Sequence, residues 1–430
     1  MEHPSSAEPP VSLTTFGDQP LGVVDLMGRD KIIASGLGKS GTPSELKKTA
    51  PSAFATIGKN NFEYKSLSVW AFNIAVGCRH SCKFCYVVEA QHTRPGREGK
   101  TNTGALASTL REYGVTDPDA AWGDYVLLRP WDEEIFLASL RSAENKPVKN
   151  LNRDGNRAVI FCSTTDPYQT LVIKGNALKQ NLLNKHARFL VRRALELILK
   201  HSTLNVRILT RSPLAREDFD LYKKFGNRLL FGMSLPTLRE DLLKIYEPRA
   251  PAAKLRLATL NEAAKMGIPL FVAIAPTYPD LSEKDLRDVL KAVKPLKPHT
   301  IFHEPINIRA ENVKRIQAHA KIMKVTVKTD VFDDGALWRR YAIDQLKTVQ
   351  KIATELGLEG CLHLWPDKSL RSKGVFLKAR DEAFRKANPQ SQETSYQKKQ
   401  RKKQDYGDYV VFLRWLSHWH ERISEWPGKK

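Results

Sequence analysis

Short apolar runs separated by amphipathic segments fill the middle of this chain. Residues 66–74 (SLSVWAFNI) are aromatic and β-branched, a strand pattern that runs into a cysteine-rich loop, with a helix expected over 84–92. After a Gly-, Thr- and Arg-rich stretch, 93–103, the pattern predicts strand–helix pairs. They fall at 125–129 with 133–143, 158–162 with 177–200, and 205–210 with 217–225. The series continues at 229–234 with 252–266, 269–275 with 283–293, and a further strand at 300–306. Short apolar strands alternating with helices predict a parallel sheet covered by helices. Six or seven such units in roughly 240 residues suit a partial or complete β/α barrel, whose functional residues gather at the C-terminal ends of the strands.

Past residue 310 the alternation weakens. A helix is expected from a capping Asn312 to Lys324, another over 338–356, and a last strand over 360–365 carrying Cys361 and His363. Residues 388–407 are Gln-, Ser- and Lys-rich and include Lys398-Lys399-Gln400-Arg401-Lys402-Lys403, a solvated linker or basic arm. Tyr409, Phe412, Leu416, Trp419, Ile423 and Trp426 then recur at helical spacing, an apolar stripe suited to docking on the barrel or a partner. The N-terminal region is Pro-, Ser-, Gly- and Lys-rich and reads as a flexible arm. Its Gly38-Lys39-Ser40 lacks the glycine five positions earlier that a phosphate-binding loop requires, since Ile33 stands there. The expected organisation is an arm (1–60), a core barrel (61–310), an extension packed on the core (311–387), a basic linker (388–407) and an amphipathic helix (408–430).

Composition narrows the setting. Hydrophobic residues make up 41% of 430, enough for a sizeable core, and five cysteines argue against a disulfide framework. With no signal-peptide pattern and no apolar run of membrane-spanning length, a cytoplasmic protein is expected. The formal net charge is +22, and residues 368–430 hold 16 Lys and Arg against 7 Asp and Glu. Such an excess favours a polyanionic partner, nucleic acid above all.

Three of the cysteines, Cys78, Cys82 and Cys85, lie within eight positions. Three thiolates at this spacing can hold an iron–sulfur cubane while leaving one iron open to another ligand. Structural zinc is the alternative, with His80 or His92 as fourth ligand, although no second cysteine pair is present to complete the commoner zinc pattern. At the end of the third predicted strand stands Phe161-Cys162-Ser163-Thr164-Thr165-Asp166-Pro167-Tyr168-Gln169, a lip of hydroxyls and one acid before a proline.

The cysteine motif, followed by the aromatic Tyr86, resembles the cluster-binding motif of the radical S-adenosylmethionine (radical SAM) superfamily. The strand-end runs resemble its spore photoproduct lyase-like, or DNA repair photolyase-like, branch. These runs are 163–169, Ile208-Leu209-Thr210-Arg211-Ser212 (with Arg211 where lysine is usual), Ser234, Glu247-Pro248-Arg249-Ala250-Pro251 with Arg256-Leu257, Gly267-Ile268-Pro269, Ala273-Ile274-Ala275-Pro276 and Phe302-His303-Glu304-Pro305. The resemblance covers about residues 66–310. It implies a partial (β/α)6 TIM-like barrel, here with an N-terminal arm and a basic helical C-terminal extension. It also implies a 4Fe–4S cluster on Cys78, Cys82 and Cys85, an external electron donor, and SAM bound across the mouth by Tyr86, Ser163, Thr165, Asp166, Arg211, Ser234 and Ala275. Reductive cleavage of SAM would then give a 5′-deoxyadenosyl radical for hydrogen abstraction, with nucleic acid as an expected target. Cys162 is a candidate hydrogen donor, and Glu247 with Arg249 a candidate structural clamp. Modification of a peptide or protein, and a zinc-stabilised non-catalytic nucleic-acid-binding module, are the competing readings.

Overall fold

The computed structural model describes residues 23–25, 54–60, 68–89, 110, 115–145, 157–173, 175–309 and 311–422. The triplet at 38–40, the stretch 93–103, His92, Ile423 and Trp426 lie outside them. The strands are β1 (Val23–Asp25), β2 (Ile57–Lys59), β3 (Trp70–Phe72), β4 (Ala75–Val76), β5 (Tyr125–Leu128), β6 (Ala158–Phe161), β7 (Asn205–Thr210), β8 (Leu229–Ser234), β9 (Leu270–Thr277), β10 (Thr300–Pro305) and β11 (Leu362–Leu364). The α-helices are α1 (Glu133–Glu144), α2 (Ala177–His201), α3 (Phe219–Phe225), α4 (Glu240–Tyr246), α5 (Ala253–Lys265), α6 (Glu283–Val293), α7 (Asn312–Met323), α8 (Gly335–Glu355), α9 (Lys373–Ala387) and α10 (Ser395–Arg422).

Eight strands form one sheet in the order β11-β10-β9-β8-β7-β6-β3-β2. Every neighbouring pair from β3 to β11 is parallel, and only β2 pairs antiparallel, on β3. Because β2 and β11 are the two ends of this order, the barrel is partial, as expected. Strand alternation sorts the residues between two faces. Val159, Phe161, Val206, Ile208, Phe231 and Val272 join the large core shared with the helices. Ala71, Ile160, Leu230, Phe271, Phe302 and Trp365 form a separate inner cluster. Phe302 stacks on Trp365 at 4.3 Å between centroids and meets Phe271 edge-on at 5.7 Å. Gly232 makes room for this packing, since a Cβ there would lie 2.4 Å from the Phe271 ring. Helix starts follow the local sequence: Asp132 caps α1 through the Ile135 amide, and Ser282 with Asp285 forms a capping box on α6.

Several expectations change. The strand at 125–129 is not a barrel strand: β5 pairs antiparallel with β4 and β1 in a separate three-stranded sheet. Its short apolar run reads the same in either sheet, and only long-range pairing separates the two. The expected strand at 66–74 divides into β3 and β4. The described part of the helix expected over 84–92 is a single 3-10 turn, Val87–Glu89. An extra helix, α4, precedes α5. Asn312 does not cap α7; its Nδ2 instead donates to the Asn307 and Phe84 carbonyls, at 2.7 and 3.3 Å. The linker expected over 388–407 is largely helical, because α10 runs unbroken from Ser395 to Arg422. Arg401 holds that segment through Glu393 and Asp381, both at 2.8 Å. Phe412, Leu416 and Trp419 enter the main core, and Trp415 Nε1 donates to Gln350 Oε1 on α8 at 2.9 Å. No helix among the described residues is long and apolar enough to cross a membrane.

Candidate radical SAM site

Parallel strands deliver their C-terminal ends to one edge, and the cysteine loop leaves the sheet there. Gly77 turns the chain out of β4 with φ +87°; a Cβ at this position would stand 2.4 Å from the Tyr125 carbonyl oxygen. Neighbouring elements pin the loop from several sides. Lys83 N–H donates to the Tyr246 carbonyl at 2.9 Å, Arg79 N–H to Gln169 Oε1 at 2.7 Å, and the Thr165 hydroxyl to the Gly77 carbonyl at 2.5 Å. From α7, Arg315 donates to the carbonyls of Lys83 and Cys85, while Asn312 reaches that of Phe84. Sequence patterning did not single out Arg315 for the site, because it lies well beyond the motif and carries no local signature.

Cys82 is buried, and Cys78 and Cys85 are half-buried; none is in a disulfide. Burial pushes the Cys82 thiol up to about 12 despite the opposing Arg211 guanidinium. Burial, followed by the negative charge of Asp166, raises Cys78, against a backbone hydrogen bond from His80. Burial also raises Cys85, opposed by a hydrogen bond from the Val87 backbone and by Arg315. These thiols keep their protons until a metal displaces them, and the amides and guanidinium groups around them suit thiolate ligands. Among the described residues no three His, Cys, Asp or Glu side chains gather as a single ion requires. A four-iron cluster, which reaches its ligands across a larger body, fits this donor set of three cysteines with one iron open.

Asp166 ties the loop to the lip. Its Oδ1 accepts from Tyr168 N–H at 2.9 Å and the Thr210 hydroxyl at 2.7 Å; Oδ2 accepts from Arg211 N–H at 2.9 Å and stands 3.1 Å from His80 Nε2. Burial alone would raise this carboxyl. The neighbouring His80 and the donated bonds reverse that and hold it at about 2. The Ser163 hydroxyl meets Asn73 Nδ2 at 3.4 Å, and Asn73 Oδ1 accepts from both the amide and the hydroxyl of Thr164, at 3.0 Å each. Asn73, absent from the sequence candidates, thus shapes the lip from the end of β3.

Arg211 and Glu247 form the second hub. Arg211 Nε donates to Glu247 Oε1 at 3.1 Å, and Arg256 Nη2 lies 2.5 Å from Oε2. The Tyr278 hydroxyl also donates to Oε1, at 3.1 Å. Burial tends to raise Glu247, but the two guanidinium groups prevail and hold it at about 2. The partners differ from those expected: Glu247 is clamped by Arg211 and Arg256, while Arg249 pairs with Asp124 at 2.7 Å. Two residues apart after α4, Glu247 turns into the protein and Arg249 out of it. Ser234 Oγ donates to the Ala275 carbonyl at 3.1 Å, so these two candidates meet each other just beneath the edge. Tyr86, half-buried, feels the charges of Glu304, Cys85, Arg211 and Arg309, which puts it near the end of β10. Cys162 follows β6 with φ +64°; its buried thiol is raised by burial against a hydrogen bond with the Ile74 backbone.

The profile of the radical SAM superfamily matches residues 72–293, the span that contains the loop, the lip and both hubs. An uncharacterized protein of Acidianus two-tailed virus is 31% identical over 257 residues, covering 58% of this chain and 71% of that protein. An uncharacterized protein of Methanocaldococcus jannaschii is 24% identical over 297 residues, covering 68% and 90% respectively. Among solved structures, a spore photoproduct lyase complexed with a dinucleoside spore photoproduct aligns over 72% of this chain and 78% of its own, at 12% identity and a TM-score of 0.48. With three cysteines, one buried and two half-buried, on the loop that follows β3 and β4, and that profile spanning just over half of its residues, this chain belongs to the radical SAM superfamily.

Proposed function

We propose that this enzyme uses SAM to abstract hydrogen from a nucleic acid. Cys78, Cys82 and Cys85 would hold the 4Fe–4S cluster, which when bound supplies the electron that splits SAM into methionine and the 5′-deoxyadenosyl radical. The chain's own residues orient SAM. Arg211 presents to its carboxylate the part of the guanidinium that Glu247 does not occupy, and Glu247 fixes the plane of that fork. Ser163, whose hydroxyl has only a long contact with Asn73, offers a polar group at the lip, and Tyr86 borders the adenosine. Thr165, Asp166, Ser234 and Ala275 act one step back: their polar atoms bond one another, Gly77 or the Arg211 backbone, and so set the shape of the mouth. Cys162 takes no part in this chemistry, since its thiol is buried and engaged by the Ile74 backbone.

The three cysteines on one loop, close enough to feel one another's charge, with Arg211 near Cys82 and Cys85, support this reading. Anaerobically reconstituted wild-type protein should hold iron and acid-labile sulfide and release 5′-deoxyadenosine with dithionite. Cys82→Ala should reduce that product to background, and an unchanged yield would remove the thiolate from the chemistry.

Nucleic acid as substrate is supported by the net charge of +22 and by α10, whose Lys398, Lys399, Lys402 and Lys403 are exposed near two exposed tyrosines, Tyr396 and Tyr406. Lysines release condensed counterions from phosphates, and aromatic rings give bases a stacking surface. Oligonucleotide affinity should therefore fall steeply between low and moderate salt. A flat salt dependence would point to a peptide or protein substrate.

A further inference from the structure

The small sheet of β1, β5 and β4 stands apart from the barrel, and the function proposed above leaves its purpose open. Its two faces show what it covers. Along β5, Val126 and Leu128 join the barrel core, while Tyr125 and Leu127 turn the other way, into a separate apolar lobe with Val76, Val87 and Trp122. Cys78, Cys85 and Tyr86 pack against that lobe, so it forms a side wall of the cysteine loop. Tyr125 is the wall's point of closest approach. Its ring lies against Gly77, the residue before Cys78: a Cβ on Gly77 would stand 3.0 Å from both Cδ2 and Cε2. Trp122 meets the same ring edge-on at 6.1 Å, and the Ser81 hydroxyl donates to the Trp122 carbonyl at 3.1 Å, which ties wall and loop together.

Tyr125 is 2% exposed, and its hydroxyl has no hydrogen-bond partner among the described residues. Burial keeps the phenol protonated, and the charge of Cys85 adds to that ahead of those of Asp119, Arg315 and Asp117. The side chain thus borders Gly77 along its ring and has Cys85 as its foremost charged neighbour. Other acceptors nearby are already engaged. Asp119 pairs with Arg315 through Oδ1 and accepts from Glu311 N–H at 3.3 Å through Oδ2. Asp117 Oδ1 takes the amides of Asp119 and Ala120 at 2.9 and 3.1 Å, and the Cys85 carbonyl takes Arg315. A buried hydroxyl left unpaired costs stability, and apolar packing of the ring would be served as well by phenylalanine. The hydroxyl is explained by an acceptor that arrives with the metal group, because sulfur bound to iron is anionic and accepts hydrogen bonds.

We propose that the Tyr125 hydroxyl donates a hydrogen bond to a sulfur of the 4Fe–4S cluster, on its Cys85 side, and thereby raises the potential at which the cluster accepts its electron. A donor favours whichever state carries more negative charge on its acceptor, and that is the reduced one. The inference rests on the cluster assigned above to Cys78, Cys82 and Cys85. It adds a residue from outside their motif that sets how readily the site is reduced, and it gives the small antiparallel sheet its task.

The test compares wild type with Tyr125→Phe, each reconstituted anaerobically and titrated to lower potential without SAM while the reduced cluster is followed by EPR. At the potential where wild type is half reduced, the ratio of reduced to oxidised cluster in the variant should be about tenfold lower, or about 59 mV for one electron. The apoproteins should behave in the opposite sense: the urea midpoint of Tyr125→Phe should match or exceed that of wild type, since the variant removes a buried hydroxyl that has no partner. A third reading needs only wild type. An exchangeable proton coupled to the reduced cluster should appear by electron–nuclear double resonance and vanish in D2O; in the variant that coupling should be missing. A ratio changed by less than twofold, or a wild-type cluster with no exchangeable coupling, would overturn the inference and leave the hydroxyl to a buried water. So would an apoprotein midpoint that falls in the variant, which would mean that the hydroxyl serves a partner within the protein. Wild type that binds no iron would strike the cluster ligands, and this inference with them; iron bound with no shift in potential would strike this inference alone.

Discussion

Two regions of this molecule use the same pair of residue types in opposite surroundings. At the barrel mouth, Glu247 is fully enclosed and lies between Arg211 and Arg256, with Tyr278 completing its hydrogen bonds. In the C-terminal hairpin of α9 and α10, Arg380 bridges to Asp405 and Asp408 with nearly half of its own side chain open to water. A buried carboxylate that has lost its solvent is held by whatever partners remain, so each partner matters greatly. An exposed pair exchanges one set of favourable contacts, with water, for another of similar strength. The mouth is therefore specified by its charges, whereas the hairpin is held mainly by apolar packing around Phe376, Tyr409 and Phe412.

That contrast can be broken most forcefully at Glu247. Glu247→Ala leaves Arg211 and Arg256 facing each other without a carboxylate, and about 3–5 kcal/mol of stability should be lost. Urea unfolding of the apoprotein measures it, and a loss below about 1 kcal/mol would mean that water reaches the hub. Acid sharpens the same comparison. Asp166 and Glu247 are both held at about 2, below their ordinary range. Their contribution is present in full above the carboxyl range of the unfolded chain, near pH 4, and is lost as the pH falls toward about 2. Apoprotein stability should thus drop by a few kcal/mol between roughly pH 4.5 and 2, and Asp166→Asn should flatten part of that slope. The smallest effect belongs to the hairpin: Arg380→Ala should cost about 1 kcal/mol or less, with a cost that shrinks further in salt, as thermal melts would record.

Much of the barrel was legible because its strands are buried on both faces and read as short apolar runs, each bounded by a helix of recognisable period. The strands at 205–210 and 229–234 and the helix at 283–293 fall at their expected limits for that reason. The run at 125–129 misled because burial within a small antiparallel sheet leaves the same local trace as burial within the barrel. At 388–407 a solvated composition concealed a helix, since Arg401 finds Glu393 and Asp381 only once the hairpin closes. The candidate site divides along the same line. The cysteines, Asp166, Arg211, Glu247 and Arg256 each sit in a compact motif, whereas Asn73, Asn312 and Arg315 act by reaching a distant backbone.

By itself, then, the sequence brought out the three clustered cysteines, the superfamily resemblance and the alternation of strands and helices, because spacing and periodicity are local properties of a chain. Tertiary structure alone decided that Glu247 faces Arg211 and Arg256 rather than Arg249, and that Asp166 joins the cysteine loop to two strand ends. Which opposite charges meet depends on the direction each side chain takes from its strand or turn, and on what burial leaves within reach. Neither is fixed until the sheet has closed around them.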